Sequence, residues 1–214
     1  MRIDVWSDIR CPFCYVGKHN LEEAISRFEE KGNVEVIWHS FQLDPNLKTQ
    51  PQKDMLDFFS ELKGVPRDQA ELMLGGAKQM GAAMGLDFNI ENAIVANSFL
   101  AHQLLQFAKT KGRGNQVKEA LLRAHFTDAK NIDDITVLID LAEDSGLERE
   151  ETDKILRDKT FAPQVLEDQK IAQKIGVRGV PFFVFNKKHS VSGAQPPEKF
   201  LEVLEMSWKE NITP

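Results

Sequence analysis

Apolar and polar positions alternate from Arg2 to Ser7 (Arg-Ile-Asp-Val-Trp-Ser), the period-two pattern of a short strand. Beyond Pro12 the period lengthens: Val16, Leu21, Ala24, Ile25 and Phe28 recur at helical spacing, and Gly32-Asn33 supplies a stop signal. Proline suits a first helical position, where its fixed φ is pre-set and its missing N–H needs no partner. The helix is therefore expected to start around Cys11–Pro12. Residues 34–41 (Val-Glu-Val-Ile-Trp-His-Ser-Phe) are rich in β-branched and aromatic side chains and predict a second strand. Strand, helix and strand make a βαβ unit, for which right-handed parallel pairing is the default.

From Pro45 to about Lys174 no strand pattern stands out. Helical spacing over 92–110, 115–126 and 133–144 alternates with turn signals at Gly64-Val65-Pro66, Gly85, 111–115, 128–131 and Ser145-Gly146. Strand character returns at 180–185 and again at 190–193, with Asn186 to His189 between them, which reads as a hairpin before a last helix over 197–208. The fold class is α/β. Residues 1–44 and 175–214 form a split domain with one sheet, and 45–174 form an all-helical insertion whose last helix could belong to either.

Charge narrows the function classes. The 214 residues carry a formal net charge of −6, which gives no footprint for nucleic acid and disfavours an anionic membrane surface. Charges at positions 2, 4, 8 and 10 interrupt the first segment, so it does not read as a secretory signal. No apolar run approaches the ~20 residues of a membrane span, and a cytoplasmic location is the expectation.

The only two cysteines, Cys11 and Cys14, lie three positions apart at the start of the first helix. In a reducing compartment a bridge between them would be chemical rather than structural. At a helix start the free N–H groups and the macrodipole favour negative charge on the first sulfur, and the second lies one turn on, on the same face. Such motifs lower the first thiol from about 8.5 to roughly 3.5–7, so Cys11 is assigned as attacking thiolate and Cys14 as resolving thiol. Arg10 would help the thiolate. Asp8 would oppose it or carry protons to a buried Cys14, and their distances from the sulfurs decide between these. No metal is expected: zinc needs about four ligands, and beyond the pair only His19 is near in sequence.

The run Asp8-x-x-Cys11-Pro12-x-Cys14-Tyr15-x-Gly17-Lys18, together with Gly176-Val177-x-Gly179-Val180-Pro181-Phe182-Phe183, resembles the DsbA family of thiol–disulfide oxidoreductases, in particular its FrnE-like branch. Ser192-Gly193-Ala194-Gln195-Pro196, Asn97 and Ala101-His102 match the same branch, so the resemblance covers nearly the whole chain. Phe13 stands where that branch commonly has tryptophan. The resemblance implies a thioredoxin fold with a helical insertion and a cis Val180–Pro181 bond facing the cysteines. It further implies a substrate surface that includes Pro12, Phe13, Val180, Pro181 and His102. No cofactor is called for beyond the redox-active disulfide itself, with glutathione open as a co-substrate. The expected partners are protein or small-molecule thiols and disulfides, acted on by a monomer or homodimer.

Two other readings are compatible with the sequence. Kappa-class glutathione transferases and 2-hydroxychromene-2-carboxylate isomerases are similar in fold but usually carry serine in the place of Cys11 and lack the pair. Glutathione-dependent transfer or isomerisation is thus the runner-up. A redox-regulated holdase using the insertion is the third. His39 reads as a satisfied structural histidine, the Met73, Ala77, Met80 and Met84 stripe as core, and Trp6, Trp38, Phe182, Phe183 and Phe185 as the filling of the sheet core.

Overall fold

β1 (Arg2–Ser7) and β2 (Glu35–Ser40) pair in parallel, with Arg2 opposite Glu35 and Ser7 opposite Ser40. The computed structural model describes residues 1–212. α1 (Pro12–Arg27) connects the two strands. The chain returns to the sheet as β3 (Phe182–Phe185) and β4 (His189–Ser192), both antiparallel, giving the order β2-β1-β3-β4. β1 is central, and all its residues after Arg2 are buried, as a strand covered on both faces must be.

Alternation along β3 divides its side chains between two layers. Phe183 and Phe185 are wholly buried, and Phe183 meets Phe200 of α9 (Pro197–Ile212) edge-on at 4.7 Å between centroids. Phe182 and Val184 point the other way, into a cluster with Trp6, Ala172 and Val177. Ala172 belongs to α8 (Ala162–Lys174), which covers that face. The hairpin closes at Asn186 and Lys187, with φ of 48° and 61°, and Lys188 N–H donates to the Phe185 carbonyl at 2.9 Å. Two positive φ values at the centre are the type I′ geometry whose twist matches flanking strands.

A charged network ties the second face together. His39 Nδ1 lies 2.7 Å from Asp168 Oδ1 and His39 Nε2 lies 2.7 Å from Asp4 Oδ1. Each ring nitrogen thus faces a carboxylate oxygen, the arrangement that a doubly protonated ring satisfies. Ser40 N–H donates to the other Asp168 oxygen at 2.8 Å, Trp6 donates its indole N–H to the Asp168 backbone carbonyl, and the Trp6 and His39 rings stack at 4.5 Å. Burial pushes the Asp4 carboxyl up, but hydrogen bonds from His39 and from Arg2 outweigh it and hold the group at about 2. His39 is thus a structural residue of the sheet.

The chain divides into two compact units, residues 1–43 with those from 167 onward, and residues 44–166; the second boundary falls inside α8. The second unit is helical: α2 (Met55–Lys63), α3 (Arg67–Ala83), α4 (Phe99–Thr110), α5 (Gly114–Phe126), α6 (Ile135–Asp144) and α7 (Arg149–Arg157). Among the described residues its only β-pairing is an isolated bridge between Gln50 and Val95, and no helix of the chain is long and apolar enough to cross a membrane.

Four expectations need correction. α1 ends at Arg27, where Phe28 N–H turns back to Ile25 O, and Lys31–Asn33 form a separate 3₁₀ turn. α4 starts at Phe99 rather than near 92. Asn97 accepts from Phe99 N–H at 2.7 Å and donates to Leu47 O at 2.8 Å, and Val95 O is taken by Gln50, so the preceding residues are held extended. The third strand begins at Phe182, after Pro181, which has no N–H for the ladder. The stripe of Met73, Ala77, Met80 and Met84 is core only at Ala77: Met73 and Met80 are 44% and 39% exposed, and the buried line of α3 is Ala70, Ala77 and Gly81. A Cβ on Gly81 would stand 2.8 Å from the Phe88 ring, so small residues rather than methionines make that contact.

Candidate active site

β1 delivers the chain to the edge of the sheet at Ser7, and a tight turn reverses it into α1. Asp8 builds that turn. Its buried carboxylate accepts from Arg10 N–H at 3.2 Å and from Leu43 N–H at 2.8 Å, and its carbonyl accepts from Cys11 N–H at 3.4 Å. The Leu43 contact ties the turn to the segment leaving β2. Cys11 is the N-cap residue of α1 in extended conformation (φ −98°, ψ 112°), Pro12 takes the first helical position, and Cys14 N–H donates to Cys11 O at 2.9 Å. Both cysteines are thiols and both are buried, Cys11 at 5% and Cys14 at 1% exposure.

The opposite wall comes from the end of the chain. The Val180–Pro181 peptide is cis, and Cys11 Sγ lies 3.6 Å from the Val180 carbonyl oxygen, to which the thiol donates. Pro181 O in turn accepts from Gly193 N–H at 2.8 Å. Gly17 explains how closely α1 meets this wall: a Cβ there would stand 2.9 Å from Pro181 Cγ and 3.2 Å from the Phe183 ring. Asn20 adds a bond from Nδ2 to Gln195 O at 2.8 Å. Gly17, Asn20 and the Leu43 amide had been given no role from the sequence. Gly17 stood inside the matched motif, whereas nothing marked Asn20 or Leu43. Phe13, 41% exposed, and Leu43, 52% exposed, leave apolar surface on this unit.

The electrostatics differ from expectation. The Cys11 thiol is pushed well up, not down. Its hydrogen bond with Cys14 is the leading cause, followed by burial and the charge of Cys14; the Cys14 backbone N–H works the other way, and Asp8 adds to the rise. A helix start favours a thiolate, but burial penalises the charged form, and here two thiols share one buried spot. Asp8 therefore opposes the Cys11 thiolate. Arg10 is placed by its backbone bond to Asp8, beside Cys11 in sequence. His102 lies on α4 in the helical unit, with its side chain wholly buried.

The family model of the DsbA-like thioredoxin domain matches residues 2–205. The chain belongs to the DsbA family. Similarity extends to the uncharacterized protein YwbO of Bacillus subtilis, 31% identical over 187 residues and 86% of either chain. A crystal structure described as a probable DsbA oxidoreductase from Streptomyces coelicolor superposes with a TM-score of 0.93 at 36% identity, covering 100% of this chain and 92% of the other. The cytosolic disulfide reductase DsbM of Pseudomonas aeruginosa, solved with GSH, shares the fold at 17% identity with a TM-score of 0.69, covering 98% of this chain and 100% of its own. The DsbA-family chain thus has the thioredoxin fold with a helical insertion, and its two cysteines stand together at the start of α1.

Proposed function

We propose that this DsbA-family protein is a cytoplasmic thiol–disulfide oxidoreductase that works through Cys11 and Cys14 in the reductive direction. The observation that carries the reading is the 3.6 Å contact between Cys11 Sγ and Val180 O, which joins the helix-start thiol to the cis-proline wall across 169 positions of sequence. As a thiolate, Cys11 attacks one sulfur of a substrate disulfide. That S–S bond breaks, one substrate thiolate leaves and takes up a proton, and Cys11 is left in a mixed disulfide. Cys14 then attacks Cys11 Sγ, releases the second substrate thiol and closes the Cys11–Cys14 bond. Two electrons pass to the substrate, and an external dithiol reductant, distinct from the substrate couple, returns them by the reverse exchange. The dithiol is its own redox group, so no separate cofactor enters.

Pro12, Phe13, Val180 and Pro181 form the contact surface. An extended substrate segment that donates an N–H to Val180 O takes the acceptor now held by the Cys11 thiol, and so releases the thiol at the moment of attack. The direction rests on the thiols. Strong oxidants of this chemistry stabilise their reduced form as a low-pKa thiolate, whereas the Cys11 thiol is raised. The shared fold of a cytosolic disulfide reductase agrees with this direction and compartment. So does the cysteine count, since neither residue is left for a structural bridge.

Trapping tests the assigned roles. Incubated with an oxidised substrate protein, a Cys14→Ser variant is expected to accumulate a mixed disulfide visible by non-reducing electrophoresis, and a Cys11→Ser variant is not. Equal trapping by the two would reject the division of roles.

A further inference from the structure

Between Asp168 and Glu198 the chain has no acidic residue, yet that stretch carries Lys170, Lys174, Arg178, Lys187 and Lys188. In a protein of net charge −6 this is a local reversal of sign, and it falls on the segment that forms the cis-proline wall and the hairpin. Lys188 is committed to Glu210, and Lys170 lies 4.0 Å from Glu167. Arg178 differs. It is exposed and makes no hydrogen bond or ion pair among the described residues.

Its position follows from the packing on either side. Val177 is buried in the Trp6 and Ala172 cluster, and Val180 packs against the same cluster, so the two valines anchor the loop and leave Arg178 outside it. Two residues span at most about 7 Å, so Arg178 sits on the same short loop as Val180, whose carbonyl takes the Cys11 thiol at 3.6 Å. Two buried acids of the same unit are occupied: Asp8 by the Arg10 and Leu43 amides, Asp168 by His39 and the Ser40 amide. Gly179, between Arg178 and Val180, has no atom within 4 Å of where a Cβ would stand, so space beside the loop is open.

We infer that Arg178 is a specificity residue that selects small disulfides bearing carboxylates, with glutathione disulfide the type substrate. The inference rests on the exchange reading above and adds to it the charge of the substrate. A guanidinium offers a planar fork that fits a carboxylate in two parallel hydrogen bonds, and one on the loop that carries Val180 can hold such a substrate near the sulfur where exchange occurs. Carboxylates tethered to each sulfur through a short chain are a property of every glutathione disulfide molecule. In a protein substrate it depends on the neighbouring sequence. The flanking basic stretch adds attraction that salt weakens.

The test uses the full-length reduced protein in single-turnover reactions with glutathione disulfide, neutral 2-hydroxyethyl disulfide and cationic cystamine. Arg178→Gln is expected to slow the first about tenfold, the scale of one charge-assisted contact. The neutral reagent should stay within about twofold, with cystamine unchanged or faster. Arg178→Lys should keep the salt dependence but recover only part of the rate. Binding of S-methylglutathione, which cannot exchange, gives a second readout and is expected to weaken by the same factor. Equal slowing of all three disulfides, or unchanged rates and binding with glutathione species, would overturn the role of Arg178. Wild-type protein that leaves the neutral disulfide unreduced would overturn the exchange reading instead.

Discussion

Cys11→Ser is expected to lower the rate of disulfide reduction by on the order of 10³-fold or more, the scale at which enzymes lose their nucleophile. A serine hydroxyl at the N-cap keeps the helix start intact, since serine is itself a preferred cap, so the loss is chemical rather than structural. Cys14→Ser separates the two half-reactions: one substrate thiol is released in the first step, and turnover stops there. Stopped-flow detection of released thiol distinguishes the variants. The raised Cys11 thiol adds a pH signature. Because the thiolate is the attacking species, the first-step rate of reduced wild-type protein should climb with pH across the neutral range. A flat profile there would mean that the thiol is already ionised and that burial and the Cys14 contact do not hold its proton.

The second large effect is on stability. His39→Leu is expected to cost about 3–5 kcal/mol in denaturant unfolding, the range for removing one partner of a buried ion pair. Asp4 and Asp168 are both nearly buried and would face each other's charge with no cation between them, while Ser40 and Trp6 would lose the framework that orders Asp168. The wild-type network also has an acid limb. Asp4 is held at about 2, below its ordinary 3.8. The stabilisation it draws from its partners is complete above about 3.8 and is lost as pH falls through about 2. Asp4→Asn should remove that part of the acid dependence. A His39→Leu protein that unfolds with wild-type stability would show the network to be dispensable.

Much of the split domain was legible because its signals are local. Period-two alternation marked β1, β-branched and aromatic density marked β2, and Pro12 marked the start of α1. Boundaries decided by distant partners were not legible. α4 begins where Asn97 finds the carbonyls of Leu47 and Pro45, contacts that helical spacing over 92–110 cannot express. The α3 stripe shows a related limit: periodicity identifies a repeating face, but the tight Phe88 contact at Gly81 decides which face is buried.

The site divides the same way. Cys11, Pro12 and Cys14 announce themselves by spacing, whereas Gly17 has its meaning only once Pro181 lies against it. The direction of the Cys11 shift was missed for a physical reason. The helix start is visible in sequence, but the Cys14 hydrogen bond and the burial that oppose it depend on side-chain geometry and packing that the spacing does not express. His39 was placed correctly as structural, though its two carboxylate partners come from β1 and α8 and could not have been named.

The most direct test is a redox titration of the wild-type protein in glutathione buffers, with the Cys11 and Cys14 thiols counted by alkylation and mass measurement. The account predicts a single two-electron transition in which both thiols vanish together, with a slope of about 30 mV per decade and a midpoint nearer the thioredoxin value of about −270 mV than the DsbA value of about −120 mV. Two thiols that stay alkylatable throughout, or a midpoint at the oxidising end, would contradict it.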